Sequence, residues 1–208
     1  MSAPRLLLAS GSPRRSEILR RLGLVHTVRV PRVDESVHPD EPPAAAAERL
    51  ARAKAASGSR EGHLSLGCDT LVVHGERILG KPETPRQAIR MLSGLADAEH
   101  TVYTGIALAT PERVESSVEA TRVWFRGLSP REVSEYVATG EPLDKAGAYG
   151  IQSYGAAIVD RIAGDYFNVM GLPVQRLLEL FGRFGLRYAF GRLVPAEDGA
   201  SQSSAADA

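Results

Sequence analysis

Hydrophobic positions along the chain follow two patterns, continuous runs and alternation, that are both typical of β-strands. Residues 6–9 (LLLA) and 64–73 (LSLGCDTLVV) are almost uninterrupted apolar runs, as in strands that are buried on both faces of a sheet. Residues 100–110 and 114–128 alternate apolar and polar side chains around a turn near Pro111. This second pattern predicts an antiparallel hairpin.

Helices are predicted where apolar residues recur at helical spacing and where a proline follows a capping residue. Ser-Pro or Thr-Pro pairs begin three such stretches, at residues 12–13, 84–85 and 129–130. Gln87 and Glu132 stand three positions after the second and third caps, which predicts a capping box at each. Two further helices are predicted for the alanine-rich residues 44–57 and for residues 173–181. Glu48 and Arg52 have the spacing of an ion pair on the first of these.

The composition agrees with one folded unit. The chain has 208 residues, of which 43% are hydrophobic and 24% are charged, enough for a core in one domain or two small lobes. Residues 31–43 are rich in proline and acidic side chains and should form an extended surface segment. Residues 195–208 are mostly Ser, Ala and acidic residues. We therefore predict a single domain at residues 1–194, followed by a disordered tail.

Charge and cysteine content restrict the partners and the compartment. Lys plus Arg and Asp plus Glu both number 25, so the chain has no overall bias toward nucleic acid or a membrane surface. Cys68 is the only cysteine, which excludes an internal disulfide and suits a reducing compartment. The sequence shows neither the pattern of a signal peptide nor an apolar run of about 18 residues, so a cytoplasmic protein is expected.

Two arginines follow the first predicted strand at the point where a helix begins. The first turn of a helix favours acidic side chains, because the positive end of the helix dipole lies there, yet Arg14 and Arg15 occupy it. A loop of small residues, 10–12 (SGS), precedes them, and the free N–H groups of such a helix start bind anions. The pattern predicts an anion site, although two solvated surface arginines would give the same sequence.

Asp69 interrupts the apolar run of residues 64–73. A buried carboxylate is costly unless it is paired, hydrogen-bonded or bound to a metal. Asp69 is therefore either a general base or metal ligand, or a structural residue bonded to backbone amides or an arginine. Asp34 and Glu35 in the acidic loop are the other acidic candidates. The neighbouring Cys68 is expected to be a small buried apolar residue rather than a nucleophile.

A familiar phosphate motif is almost complete at residues 75–81 (GERILGK), but Pro82 stands where GxxxxGK requires Ser or Thr. Lys81 remains either a point charge for a phosphate or a surface lysine. The five histidines lack the HxxxH spacing of a zinc site. Basic groups for phosphates, carboxylates for a hard cation and the lack of a good nucleophile favour metal-assisted hydrolysis of a phosphate ester or anhydride.

Seven separated blocks, taken together, resemble one family. In order along residues 5–188 they are LASGSPRRSEILRRLGL, VDES, CDTLVV, GKPET, HTVYTGIAL, KAGAYGIQ and GDYFNVMGLPV. The set closely resembles the Maf family of nucleotide pyrophosphatases. The resemblance implies an elongated α/β fold with a mixed β-sheet, flanking helices and two lobes around a cleft, shared with inosine triphosphate pyrophosphatases. It also implies a homodimer, a nucleoside triphosphate substrate and dependence on a divalent cation, Mg²⁺ or Mn²⁺.

The resemblance also implies roles for individual residues. Three specificity positions match the branch of the family that acts on dTTP and UTP: Arg14, Thr70 and Gln152. Polar residues of the family's cleft correspond to Glu35, Lys54 and Lys81. Asp69 matches the catalytic base. Ser153 departs from the family's pattern, because glycine is expected after the glutamine, and this puts the local backbone and the shape of the base pocket in doubt.

These roles combine into a mechanistic hypothesis. The triphosphate is expected to be held by six side chains: Ser10, Ser12, Arg14, Arg15, Lys54 and Lys81. A divalent cation would bridge it to Glu35 and Asp69, and Asp69 would deprotonate the water that attacks the α-phosphorus and releases pyrophosphate. The Gln152 amide offers both a donor and an acceptor, as the O4 and N3–H edge of uracil or thymine requires.

Two other functions compete with this hypothesis. One is hydrolysis of modified or non-standard purine triphosphates. The other is a non-catalytic, nucleotide-binding regulator of septum formation, because the family has been associated with septum inhibition. The same cleft would serve all three functions, so a panel of substrates separates the first two and turnover separates both from the third.

Overall fold

The computed structural model describes residues 4–196 of the chain. The strands in this range are β1 (Arg5–Ala9), β2 (His26–Val28), β3 (His63–His74), β4 (Arg77–Leu79), β5 (Glu99–Ala109), β6 (Val114–Phe125), β7 (Val159–Ala163), β8 (Leu186–Tyr188) and β9 (Leu193–Pro195). The helices are α1 (Pro13–Arg21), α2 (Pro43–Gly58), α3 (Pro85–Leu95), α4 (Pro130–Ala138), α5 (Tyr166–Met170) and α6 (Val174–Arg183). Short 3₁₀ helices cover Glu141–Asp144, Ala146–Ala148 and Ser153–Ala157.

The main sheet is mixed, as the resemblance implied. Its strands follow the order β2-β1-β3-β5-β6-β7, and β4 also pairs with β3. β1 is parallel to both of its neighbours, β2 and β3, whereas the other pairs of this sheet are antiparallel. The predicted hairpin is confirmed as β5 and β6, and the first apolar run is confirmed as a central parallel strand. β8 and β9 form a separate hairpin.

One face of the sheet packs against α1 and α6. Alternate residues of a strand point to the same face, so Leu64, Leu66 and Cys68 of β3 all contribute to this side. Other buried members of the cluster are Leu8, Ile18, Leu19, Ile106, Leu108, Leu177 and Phe181. Burial of each large apolar side chain contributes about 1.5–3 kcal/mol, so this cluster is the main stabilising core between the sheet and these two helices.

The opposite face carries small residues beneath α2. The buried cluster there consists of Ala51, Ala55, Ala107 and Ala109. Gly67 of β3 and Gly105 of β5 lie directly under the helix, and a Cβ atom added at Gly105 would be 2.0 Å from the Ala47 carbonyl oxygen. The helix backbone therefore lies against the sheet itself. This close approach brings Lys54 of α2 to β3.

A second hydrophobic cluster lies at the other end of the long strands, against α3 and α4. It includes Val72, Leu92, Leu95, Val102, Val123, Phe125, Val133 and Tyr149. Buried His100 packs edge-on against Phe125 and Tyr149, with ring centroids 4.9 and 5.1 Å away. Burial lowers the pKa of His100 to about 4, so the ring is a neutral part of this core. The two clusters therefore lie toward opposite ends of the long strands of one sheet.

The two predicted capping boxes differ in outcome. At the start of α4 the box is confirmed, since Ser129 Oγ accepts from Glu132 N and Ser129 N donates to the Glu132 carboxylate. At the start of α3, Thr84 Oγ1 accepts from Gln87 N as predicted. The prediction of the reciprocal bond to Thr84 N is wrong, because the Gln87 amide oxygen accepts from the N–H of the preceding residue, Glu83. The side chain therefore satisfies the N–H that precedes the cap.

The predicted ion pair between Glu48 and Arg52 on α2 is also wrong. Ser116 of β6 lies between them: its hydroxyl donates to Glu48 Oε1 at 2.6 Å and accepts from Arg52 Nη1 at 2.9 Å. Arg52 also donates to the Val114 carbonyl at 3.4 Å. Because α2 packs across the strand, a tertiary contact takes the place of the local pair, which on a helix contributes only about 0.2–0.5 kcal/mol.

The structure adds elements that the sequence pattern did not predict. The short helix α5 is capped by Asp165, whose carboxylate accepts from Phe167 N at 2.7 Å. Of the predicted tail, Pro195 pairs with Leu186 in the β8–β9 hairpin and Ala196 N donates to the Gly185 carbonyl; residues 197–208 lie outside the described residues. Within residues 4–196, none of the helices combines the length and apolar character needed to cross a membrane.

Candidate active site

β3 lacks a partner along part of one edge. β1 pairs with it as far as Gly67, and β4 pairs with it from Val72 onward, so among the described strands residues 68–71 pair with β5 alone. The gap lies beyond the carboxyl end of the parallel strand β1, where α/β sheets place their ligands. A cavity of about 400 Å³ opens at this gap. Residues from both faces of β3 can reach it.

The cavity gathers nine of the ten site residues predicted from the sequence. They come from the start of α1, the loop before α2, α2 itself, β3, the segment after β4 and the loop before the last 3₁₀ helix. They are Ser12, Arg14, Arg15, Glu35, Lys54, Asp69, Thr70, Lys81 and Gln152. Ser10, the tenth, is buried and does not line the cavity. The structure places these residues together, and their chemical roles remain predictions.

The Lys54 ammonium group lies between two carboxylates. Its Nζ atom is 2.6 Å from Asp69 Oδ1 and 2.9 Å from Glu35 Oε2. The side chains of Lys54 and Asp69 are only 7% and 10% exposed, whereas that of Glu35 is 58% exposed. A buried carboxylate requires such a partner, so the cation that compensates Asp69 is a lysine, not the arginine or backbone amides considered from the sequence.

Arg15 is a buried cation held by neutral groups. Its Nε donates to the Gly171 carbonyl at 2.8 Å, its Nη1 to Ser10 Oγ at 2.8 Å and its Nη2 to Thr70 Oγ1 at 3.0 Å. No carboxylate oxygen of residues 4–196 lies within 4.0 Å of its nitrogens. Two of its five N–H groups remain for other partners. A buried guanidinium without a counter-charge beside a cavity favours an anionic ligand.

The other residues of the α1 start are arranged differently. Arg14 is partly exposed, and its Nη1 lies 3.5 Å from Asp144 Oδ2 in the segment across the cavity. Ser12 occupies the N-cap position without a side-chain cap bond, so its hydroxyl remains available to a ligand. Ser10 Oγ accepts from Ser12 N at 3.2 Å as well as from Arg15. Ser10 thus holds both Arg15 and the backbone at the start of α1 in place.

Three charged cavity residues, Glu17, Glu141 and Lys145, were missed by the sequence reasoning. Glu141 Oε1 accepts from Tyr136 Oη at 2.9 Å and from Gly155 N at 3.1 Å, which fixes the loop that carries Gln152. Lys145 brings the cavity lining to five basic and four acidic side chains. Lys145 belongs to the block KAGAYGIQ, so the family pattern contained a signal for it; no signal in the sequence pointed to Glu141.

Ser153 has the backbone conformation that explains why glycine is expected there. Its φ angle is +54°, in the left-handed region, which costs an L-residue with a side chain about 1–2 kcal/mol. The residue is exposed at the cavity rim. The loop keeps the same handedness that a glycine would adopt, so the departure from the family's pattern introduces local strain.

Ser153→Gly should therefore stabilise the protein. We expect the free energy of unfolding in urea to rise by about 1 kcal/mol, since glycine removes the left-handed penalty. Ser134→Gly is the matched control, because Ser134 is an exposed residue with right-handed helical backbone on α4. It should lower the free energy of unfolding by about 0.5 kcal/mol. Equal effects of the two substitutions would contradict the role of the backbone angle.

Cys68 is excluded as a nucleophile. It is fully buried, and burial raises the pKa of its thiol to about 11. Because adjacent residues of a strand point to opposite faces, Cys68 faces the α1 and α6 core whereas Asp69 faces α2. The expectation of a small buried apolar residue is confirmed.

The carboxylates of the cavity fit a divalent cation whose coordination is completed by a bound ligand. Glu35 Oε2 and Asp69 Oδ1 converge on one cationic position, which the Lys54 ammonium occupies in this structure. In the described part of the chain, no three His, Cys, Asp or Glu side chains lie close enough together to hold a metal. Mg²⁺ is commonly bound by one or two carboxylates together with substrate phosphates and water, and two carboxylates satisfy that requirement.

Comparisons with known proteins give a consistent result. A family described as "Maf-like protein" matches residues 5–184. A protein of Moorella thermoacetica named dTTP/UTP pyrophosphatase is 54% identical over 187 residues, which are 88% of this chain and 96% of the relative. Proteins with the same name from Anaeromyxobacter sp. and Symbiobacterium thermophilum are 48% and 47% identical, over 87% and 86% of this chain and 90% and 94% of their own lengths.

Proposed function

Because this chain belongs to the Maf family, we propose that it is a nucleoside triphosphate pyrophosphatase that converts dTTP and UTP to the monophosphate and pyrophosphate. Relatives with that name cover most of both chains. The observation that carries the proposal is the arrangement of one cavity, in which a paired carboxylate, several cations and the three specificity positions meet. A nucleoside triphosphate has an anhydride for the carboxylate to act on, phosphates for the cations and a base for the specificity positions.

Asp69 is the proposed general base. Lys54 donates to Oδ1 and fixes the orientation of the carboxylate, so Oδ2 is the oxygen that would accept a proton from water. The hydroxide then forms a bond to the α-phosphorus, and the bond from that phosphorus to the bridging oxygen breaks. The products are the nucleoside monophosphate and pyrophosphate, and a positioned base of this kind contributes about 10²–10⁴-fold to the rate.

Glu35 and Asp69 would hold the divalent cation. When bound, Mg²⁺ or Mn²⁺ supplies a Lewis acid that neutralises phosphate charge and polarises the reacting groups. Glu35 is exposed and lies on the loop before α2, so it can adjust to a ligand, whereas Asp69 is held in a central strand. Lys54 remains near both carboxylates and limits their mutual repulsion.

The phosphates would meet the cationic wall of the cavity. Arg15 offers two unused N–H groups from a fixed position, and Ser12 offers a hydroxyl. The free N–H groups at the start of α1 provide an anion site. Lys81 and Lys145 face them from other segments. Positive charge in fixed positions stabilises the pyrophosphate as it leaves. Ser10 contributes indirectly, by holding Arg15.

Recognition of the base is assigned to Arg14, Thr70 and Gln152, all of which line the cavity. Gln152 is half-buried and lies at the N-cap of a 3₁₀ helix. Its amide can donate to O4 and accept from N3–H of uracil or thymine. The proposal further includes a homodimer in the cytoplasm that acts on free nucleotides and not on nucleic acid or membranes, in keeping with the family resemblance and the balanced charge.

A pyrophosphate-release assay over a panel of nucleotides tests the proposed function. With Mg²⁺ present, dTTP and UTP should give kcat/KM values at least about tenfold above those for CTP, dCTP, ATP and GTP, a difference of about 1.4 kcal/mol in transition-state stabilisation. A preference for ITP or XTP would instead assign the protein to non-standard purines. Tight binding of dTTP without pyrophosphate release would indicate a nucleotide sensor.

A further inference from the structure

The proposed preference for uracil and thymine over cytosine raises a chemical difficulty. Uracil and thymine carry a donor at N3, whereas cytosine carries an acceptor there. The Gln152 amide can flip, and a free threonine hydroxyl can rotate, so each can meet either base. Selection between these bases requires a polar group whose hydrogen-bonding direction is fixed.

A hydrogen-bonded chain behind the cavity fixes the direction of one hydroxyl. Arg15 Nη2 is 3.0 Å from Thr70 Oγ1, and Thr70 Oγ1 is 3.0 Å from Thr104 Oγ1. Thr104 Oγ1 is in turn 3.0 Å from the main-chain carbonyl oxygen of Asn168. Thr70 and Thr104 are directly opposite each other on β3 and β5. Thr104 is fully buried, so it can act on a ligand only through Thr70, which lines the cavity.

The two ends of this chain leave one arrangement of protons. The Asn168 carbonyl can only accept, so the single proton of Thr104 is directed to it. Thr104 Oγ1 then has only lone pairs for Thr70, so the single proton of Thr70 is directed to Thr104. Arg15 can only donate, so it takes one of the two lone pairs of Thr70 Oγ1 and is compatible with a Thr70 proton that is directed to Thr104. Thr70 therefore presents a lone pair to the cavity and has no proton to offer.

We propose that Thr104 is a positioning residue for base selection: by holding the proton of Thr70, it makes Thr70 a fixed acceptor that favours the N3–H of uracil and thymine over the unprotonated N3 of cytosine. In this arrangement Thr70 accepts from N3–H, and the Gln152 amide donates to O4. The inference rests on the proposed pyrimidine triphosphate substrate. Bound cytosine would place the lone pair of its N3 against the lone pair of Thr70, which leaves both acceptors without a hydrogen bond. The cost of these two unpaired acceptors selects against cytosine.

Thr104→Val tests this assignment. Valine has nearly the same shape and cannot accept the Thr70 proton, which becomes free to turn toward the cavity. Asn168 O keeps the bond from Gly171 N at 2.9 Å, so the fold should persist. We expect the ratio of kcat/KM for UTP to that for CTP to fall about tenfold. Thr104→Ser retains the hydroxyl and should keep the ratio within about threefold of the wild-type value.

The outcomes separate the two proposals. If the wild-type protein does not hydrolyse UTP, the proposed function fails and the role of Thr104 fails with it. If it hydrolyses UTP but Thr104→Val leaves the UTP-to-CTP ratio within about threefold, or Thr104→Ser lowers the ratio equally, only the role of Thr104 is overturned. A fall confined to the valine variant supports the assignment.

A second measurement uses the unmodified protein, in case the valine variant does not fold. N3-methyl-UTP lacks the N3 proton, and 5-methyl-UTP carries the same methyl group at the position where thymine has it. We expect kcat/KM for N3-methyl-UTP to be at least about 100-fold below that for UTP, with 5-methyl-UTP close to UTP. Comparable turnover of the two methylated nucleotides would overturn the fixed-acceptor role.

Discussion

Asp69→Asn is expected to lower kcat for pyrophosphate release from UTP by about 10²–10⁴-fold. Asparagine has the same shape and can still accept from Lys54 through its amide oxygen, but it cannot take a proton from water. Lys54 also keeps its second partner, Glu35 Oε2, at 2.9 Å. The buried cation is therefore not left alone, and the variant should fold with a melting temperature within a few degrees of the wild-type value.

Asp160→Asn is the matched control for this substitution. Asp160 is exposed on β7 and does not line the cavity, so kcat should remain within about twofold of the wild-type value, as for most surface substitutions. A coupled assay for pyrophosphate with saturating UTP and Mg²⁺ measures both variants. If Asp69→Asn retains kcat within about tenfold of the wild-type value, Asp69 is not the general base.

Gly105→Ala should cause a large loss of stability, of about 3 kcal/mol in the free energy of unfolding in urea. The added Cβ atom would lie 2.0 Å from the Ala47 carbonyl oxygen and 2.6 Å from Glu48 N. These are backbone atoms of α2, so no side chain can move aside and the helix itself must shift. Because α2 carries Lys54, we also expect kcat/KM for UTP to fall.

Gly94→Ala controls for the general effect of replacing a helical or strand glycine. Gly94 lies at an exposed position of α3, and nothing lies within 4 Å of an added Cβ atom. Alanine favours a helix over glycine by about 0.8–1.0 kcal/mol, so this variant should be more stable than the wild type. If Gly105→Ala is destabilised by less than about 1 kcal/mol, the helix does not lie as close to the sheet as described.

Most of the fold was predictable because its signals are local. The proline at the start of α1, the continuous apolar run of β3 and the alternation of β5 and β6 each depend on neighbouring residues alone. The ion-pair prediction failed because of a contact between distant segments. Ser116 of β6 replaces the Glu48 and Arg52 pair, and nothing near Glu48 in the sequence indicates that this strand crosses α2.

The candidate site was predictable in its members but not in its connections. Nine of the ten residues predicted from the sequence line one cavity, but the sequence did not show how Arg14, a predicted specificity position, and Arg15, a predicted phosphate cation, are held. The structure shows that Arg15 is anchored by three neutral acceptors, whereas Arg14 lies near the Asp144 carboxylate. The sequence also gives no indication that Thr104 determines the direction of the Thr70 hydroxyl, because that relation depends on strand register.

The continuity of β3 and β5 has a mechanical consequence. Each strand contributes to both hydrophobic clusters: Leu66 and Ile106 belong to the first, and Val72 and Val102 to the second. The two strands are paired with each other over nine residues, so the same hydrogen-bonded pair of strands runs through both clusters. The two clusters are thus joined by continuous hydrogen-bonded strands of one sheet rather than by a linker segment, and the cavity lies beside these strands.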